Sequence, residues 1–359
     1  MKKTLNNTSE FEREPWIDVV RTIAIFLVVL LHAAAPWVYR YGLIPEFDWQ
    51  VGNIIDSATR VAVPLFFMST GYLLLSKPLS LKTYFNKRVS RVAIPWIAWS
   101  VIYLLYRNLF ADNPVTFSEG LLAFLNGDVY FHFWFLYTLI GLYLFIPVIS
   151  WLLESDPQKR SLYFLIAWFV AASLIPFLNI LSRSTTNFEL KIALDLSMFG
   201  GFTGYLIAGF LIGKFNPSRP QWILLCGVYL ISIIITILGT SAASNYLERL
   251  VEYLYDYAAP NIILAGFAAF AVLKKIGILI SQNQKVSLIF SRLGYASLGI
   301  YLIHPIFINA LNHGMLGPNV TDLLRQSALA IPLVAIITFL LSYTAIEIIL
   351  FIPILRRIV

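Results

Sequence analysis

Ten stretches of about twenty mostly apolar residues follow one another along this chain, and a bilayer is the medium in which such runs are stable. About twenty helical residues cross the hydrocarbon layer. In hydrocarbon every backbone N–H and C=O must find its partner within the protein, so runs of this kind are helical. They begin near Ile17, Ile54, Val89, Phe131, Ser161, Gly200, Trp222, Ala258, Leu293 and Gln326. Hydrophobic residues make up 59% of the 359, and charged residues 13%, about half the charged share of a soluble domain. The expected fold is an all-α polytopic membrane protein of about ten transmembrane helices, with no soluble domain. A cytoplasmic segment is expected over 1–16 and a membrane domain over 17–359. Two runs are atypical: the sixth is short and glycine-rich (Gly200, Gly201, Gly204, Gly209, Gly213), and the last is long and contains Pro332.

Charge placement gives an orientation. With the N-terminus inside, Arg40, Arg60, Arg107, Arg183, Lys191, Arg249 and Arg325 fall outside or near outer ends, and the other 19 of the 26 basic residues fall inside. An excess of Lys and Arg marks the cytoplasmic side, so both termini are expected there. The net charge of +7 then belongs to loops beside anionic lipid. Nucleic acid is not an expected partner, since no basic cluster alternates with aromatics suited to stacking bases. The first run is expected to remain uncleaved: Lys2, Lys3 and Arg13 are balanced by Glu10, Glu12 and Glu14, and Pro36 directly follows Ala33-Ala34-Ala35. Cys226 is the single cysteine, which excludes an intrachain disulfide and a cysteine-based metal site.

Ionisable residues inside the apolar runs point to function, because a charge in a span faces protein or a wet cavity. Arg21 and His32 share the first run. Eleven helical steps bring them to within ~20° of one face, ~16 Å apart along the axis. That face is expected to line a polar channel with an imidazole suited to proton transfer. The alternative is a snorkelling Arg21 and a His32 that merely bonds a neighbouring helix. His304 precedes Pro305, which frees a backbone carbonyl, so a structural role there stands beside a catalytic one. His32, His132, His304 and His313 show no i, i+4 pairing, and no metal site is expected. Arg88 and Arg91 continue into the third run, and guanidinium forks grip phosphate oxygens. A plain positive-inside anchor is the alternative, and for Lys77, Lys82 and Lys87 the preferred one. Glu347 is the one carboxylate deep in the last run, placed to pair with an arginine or to line the cavity.

These residues form an ordered set that resembles the integral membrane acyltransferase 3 family of bacterial surface-glycan acyltransferases. Asp18-Val19-Val20-Arg21-Thr22-Ile23-Ala24 through His32 is similar to its first-helix arginine, ten residues, histidine pattern. Pro64 to Leu74 resembles its second-helix motif, with Thr70-Gly71 where a Ser-Gly pair is usual. Arg88-Val89-Ser90-Arg91 is similar to its third-helix RxxR. Phe133 to Leu136 and Leu298 to Pro305 match two further signatures. Glu347 follows Ser342-Tyr343 as in the family, but Ile348-Ile349 stands where a basic-proline ending is usual. In length and plan the chain is similar to single-domain O-acetyltransferases of enterobacterial common antigen type.

The resemblance implies transfer of an acyl group, commonly acetyl from acetyl-CoA, to a hydroxyl of a lipid-linked or exported saccharide at the bacterial inner membrane. His32 and Arg21 are then the catalytic candidates: the imidazole takes the acceptor proton or carries the acyl group, and Arg21 orients the donor or stabilises the oxyanion. Arg88 and Arg91 hold acyl-CoA, a donor substrate rather than a resident cofactor. Glu347, His304 and Asp18 are accessory candidates. A transporter or flippase for a surface glycan or small acid is the alternative. Such folds commonly carry inverted repeats, and the sequence has no visible internal symmetry.

Overall fold

The computed structural model describes residues 14–75, 81–86, 90–110, 114–185, 201–315, 324 and 326–359. The helices in chain order are α1 (Pro15–Val38), α2 (Glu46–Thr59), α3 (Ala62–Leu75), α4 (Leu81–Tyr84), α5 (Ser90–Phe110), α6 (Phe117–Asn126) and α7 (Trp134–Leu153). They continue with α8 (Pro157–Phe169), α9 (Ile175–Thr185), α10 (Thr203–Lys214), α11 (Arg219–Leu247), α12 (Pro260–Ser281), α13 (Gln284–Asn312) and α14 (Ser327–Phe351). Among the described residues, nine helical spans are long and apolar enough to cross a membrane, with α2–α3 and α8–α9 each forming one of them.

The expected sixth span corresponds to α10, whose 12 residues are fewer than the ~20 of a standard crossing and keep it out of the nine. Gly200 and the residues just before it lie outside the described set. The second span starts at Glu46 rather than near Ile54, because Glu46, Asp48 and Gln50 make the first turns of α2 polar and mute its apolar signal. The same reason moves the ninth start from Leu293 to Gln284, where Lys285, Ser287, Ser291 and Arg292 hide the helix.

Local chemistry sets several helix starts. Proline occupies the first helical turn of α1, α8, α11 and α12, where its missing N–H costs nothing. The Asn283 side chain caps α13 by accepting from the amides of Lys285 and Val286, at 3.1 and 3.2 Å.

Helix α1 is the hub, packed against α2, α3, α12, α13 and α14. In its most apolar stretch 67% of residues are buried within the protein, against 22% in α11. Helix α11 turns Ile223, Leu224, Leu230, Ile231 and Ile234 outward, a ridge that is stable against lipid and not against water. Helices α3 and α10 cross at backbone contact. A Cβ on Gly71 would sit 1.9 Å from the Leu206 carbonyl oxygen, and one on Gly209 would sit 2.0 Å from that of Met68. The glycines that weaken α10 as a helix therefore let it approach α3. Its C-terminal end is tied down by buried Lys274, whose Nζ donates to the carbonyls of Gly213 (2.7 Å) and Phe215 (3.0 Å) and to Asn216 Oδ1 (2.8 Å).

Candidate active site

Arg21 and His32 do share a face of the central helix, but the expected single channel is divided in two. A cavity of 820 Å³ lies at the C-terminal end of α1, lined by His32, Tyr39, Arg60, Phe131, Trp134, Phe202, Asp256, Tyr257, Asn309 and Asn312 among others. A second cavity, of 440 Å³, lies at its N-terminal end, and Arg21, Arg91, Tyr295, Tyr301, Arg356 and Arg357 are among its lining residues. Eleven helical steps set Arg21 and His32 ~16 Å apart along the axis, and the two attend different chambers.

Three of the four histidines gather beside the larger cavity, which His32 alone of the three lines. The His32 ring stacks on His304 with centroids 5.2 Å apart and planes 25° apart, and meets Phe131 edge-on at 5.0 Å. His132, in the turn before α7, meets His304 edge-on at 5.6 Å. His313 is exposed and bonded to the Asn309 carbonyl at 2.9 Å. Imidazole lone pairs lie in the ring plane, so the near-parallel His32 and His304 rings do not aim at a shared centre. Among the described residues no group of three or more His, Cys, Asp or Glu is arranged to hold a metal ion.

The Pro305 effect anticipated from sequence is present. Pro305 has no N–H to offer the Tyr301 carbonyl one turn earlier. His304 Nδ1 fills that vacancy at 2.7 Å and also approaches the Ile300 carbonyl at 3.2 Å. Carbonyls only accept, so Nδ1 carries the proton and Nε2 the lone pair. That Nε2, and both ring nitrogens of His132, are buried with no hydrogen-bond partner among the described residues. Tyr103 Oη donates to the Leu302 carbonyl at 2.7 Å, and Tyr301 Oη donates to the His132 carbonyl. Two hydroxyls thus fasten α5, α13 and the turn before α7 around the histidines.

Sequence reasoning missed the charged wall facing His32. Arg60 sits at the break between α2 and α3 and donates through Nη2 to Asp56 Oδ2 at 2.5 Å. Its guanidinium lies 4.4 Å from the centre of the Tyr255 ring, a cation–π distance. The signal was available: Asp56 and Arg60 stand four apart, the spacing of a helical ion pair. Trp134 stacks on Tyr257 with centroids 5.6 Å apart. Loss of surrounding water pushes the Tyr257 hydroxyl up to about 12, so it stays a protonated donor at neutral pH.

The remaining candidates divide by position. Arg21 Nη2 donates to Ser297 Oγ at 3.0 Å, and Ser297 Oγ in turn donates to the Gly294 carbonyl. Arg91 is exposed at the smaller cavity, while Arg88 lies outside the described residues. Asp18 is buried and accepts from Ser291 Oγ at 3.0 Å, joining α1 to α13. Glu347 interacts electrostatically with Tyr343, as does Arg292, and is not among the residues lining either cavity. Lys274 is committed to the end of α10, and the Lys275 ammonium lies 5.4 Å from the Trp222 ring.

Nine apolar spans among the described residues, a histidine cluster beside one cavity and an arginine-lined chamber at the other end define a multi-pass membrane protein with a buried polar site. The family model described as an acyltransferase domain, acyltransferase 3, matches residues 14–347. The chain belongs to that family and is an acyltransferase. No curated protein and no solved structure matches it.

Proposed function

We propose that this acyltransferase moves an acyl group, in the simplest case acetyl from cytoplasmic acetyl-CoA, to a hydroxyl of a lipid-linked or exported saccharide at the bacterial cytoplasmic membrane. The observation that carries this reading is that the two cavities stand back to back. Trp134 and Phe135 are neighbours in α7, yet Trp134 lines the histidine cavity and Phe135 the arginine cavity. Tyr301 lines the arginine cavity, and His304, three residues on, stacks on His32 in the other. A long donor entering from one side and an acceptor entering from the other would meet at that partition.

The positive-inside bias assigns the arginine cavity to the cytoplasm. There Arg91, with Arg88, holds the donor's phosphates, and Arg21, steadied by Ser297, orients the arm that carries the thioester. The acceptor occupies the larger cavity. Phe131, Trp134 and Tyr257 offer flat faces to sugar C–H groups, while Asp256, Asn309 and Asn312 meet hydroxyls. His32 takes the hydroxyl proton as the acceptor oxygen bonds to the thioester carbonyl carbon. The C–S bond breaks, and CoA leaves as a thiolate that is then protonated. Transfer through an acyl-histidine obeys the same balance in two steps. The developing oxyanion needs a fixed positive group nearby. Arg60, in the cavity of His32, meets that need, whereas Arg21 is a helix half-length away.

Membranes holding the protein should release CoA thiol from acetyl-CoA in proportion to added saccharide acceptor, and the saccharide should gain an acetyl increment by mass spectrometry. Release at the same rate without acceptor, or saccharide crossing the membrane unmodified, would overturn this reading in favour of hydrolysis or transport.

A further inference from the structure

The arginine cavity contains a second cationic element that the donor reading has not used. Helix α14 stops at Phe351 because Ile352 is extended ahead of Pro353. The chain then turns into a short 3₁₀ segment, Leu355–Arg357. That segment is anchored: buried Trp99 of α5 donates from Nε1 to the Ile358 carbonyl at 2.8 Å. Arg356 and Arg357 consequently line the same cavity as Arg91 and Arg21. No carboxylate side chain is among the lining residues. Among the described residues, neither Arg91, Arg356 nor Arg357 forms an ion pair. Three guanidiniums with no side-chain carboxylate beside them repel each other unless an anion joins them.

We propose that Arg356 and Arg357 form a phosphate clamp opposite Arg91 that reads the 3′-phosphate of a CoA donor; this rests on the donor reading above. The assignment follows from length and charge. The thioester must reach past half-buried Arg21 toward the partition, so the phosphoadenosine end stays at the opening, where Arg356 and Arg357 are exposed. The 3′-phosphate is a monoester and carries up to two negative charges near neutral pH. It is therefore the group that gains most from paired guanidinium forks. An anionic lipid headgroup shares this chemistry and is the competing source.

The test titrates purified protein by calorimetry with CoA and with 3′-dephospho-CoA, in nanodiscs of phosphatidylcholine with and without phosphatidylglycerol. The wild-type protein should prefer CoA at least about tenfold, the effect of one charge-assisted hydrogen bond. The R356Q/R357Q variant should bind both ligands alike, its affinity for 3′-dephospho-CoA unchanged. Trp99→Phe, which keeps both arginines but removes their anchor, should narrow the preference as well. A double variant that still prefers CoA overturns the clamp. So does one whose only change is a lost response to phosphatidylglycerol, which would make the arginines a headgroup site. Wild-type protein that binds neither nucleotide would instead remove the donor reading on which the clamp depends.

Discussion

At the scale of single residues, His304 and His32 touch but answer to different demands. His304 supplies the proton that the Tyr301 carbonyl lacks because of Pro305. His304→Ala leaves that carbonyl bare in the interior and should cost about 1–3 kcal/mol of stability. His304→Asn, whose amide nitrogen falls near the position of Nδ1, should recover most of it; thermal unfolding of the two purified variants is the check. Equal losses in both would assign the cost to lost ring packing instead. His32 faces the cavity and carries no comparable structural bond. His32→Ala should leave the protein inserted and abundant while lowering acyl transfer by about 10²–10⁴-fold, the usual worth of a general base. Near-native saccharide acylation by that variant would reduce His32 to a packing residue. The His304–Pro305 relation was legible in the sequence because it is local, one helical turn long. The stacking of His304 on His32 was not, because the two are joined only when α13 packs on α1.

Among the elements, α10 shows where composition misleads. Its glycines lower its helix propensity and its 12 residues fall short of a span, yet it is packed tightly on α3 through those same glycines. Gly209→Ala would press a methyl group onto the Met68 carbonyl, 2.0 Å away. It should destabilise by at least the ~1–3 kcal/mol of an overpacked core. Gly227→Ala, in α11 with nothing within 4 Å of its new Cβ, should change stability by no more than about 1 kcal/mol. Size-exclusion profiles and melting in detergent will separate the two, and equal tolerance would mean that α10 and α3 are not in backbone contact. Spans such as α1 and α12 were legible because hydrocarbon imposes a long apolar composition. The polar early turns of α2 and α13 lie on helices whose other residues pack inside, and an apolar-run search passes over them. The same is true of the Leu355–Arg357 segment, whose arginines read as inside charge until Pro353 and Trp99 fold them onto a cavity.

For the whole molecule, composition marked a polytopic membrane fold, but the cavities arise from partners far apart in the chain. Arg21 and Ser297, 276 residues apart, meet at one of them. If charge bias orients this fold, its two chambers open to opposite sides of the membrane. Cys226 is the single cysteine, so Cys226→Ser provides a background in which one introduced thiol reports one location. In that background Asn312→Cys, at the histidine cavity, should react with an impermeant maleimide added to intact cells. Tyr295→Cys, 65% exposed and at the arginine cavity, should react only after the cytoplasmic face is opened. Acetyl-CoA should then protect Tyr295→Cys and leave Asn312→Cys unchanged, because the proposed donor and saccharide sites lie in different chambers. Labelling of Tyr295→Cys from outside intact cells would invert the orientation and move the donor to the opposite face. Protection of both thiols by acetyl-CoA alone would mean that the donor occupies both chambers, leaving the acceptor to bind elsewhere.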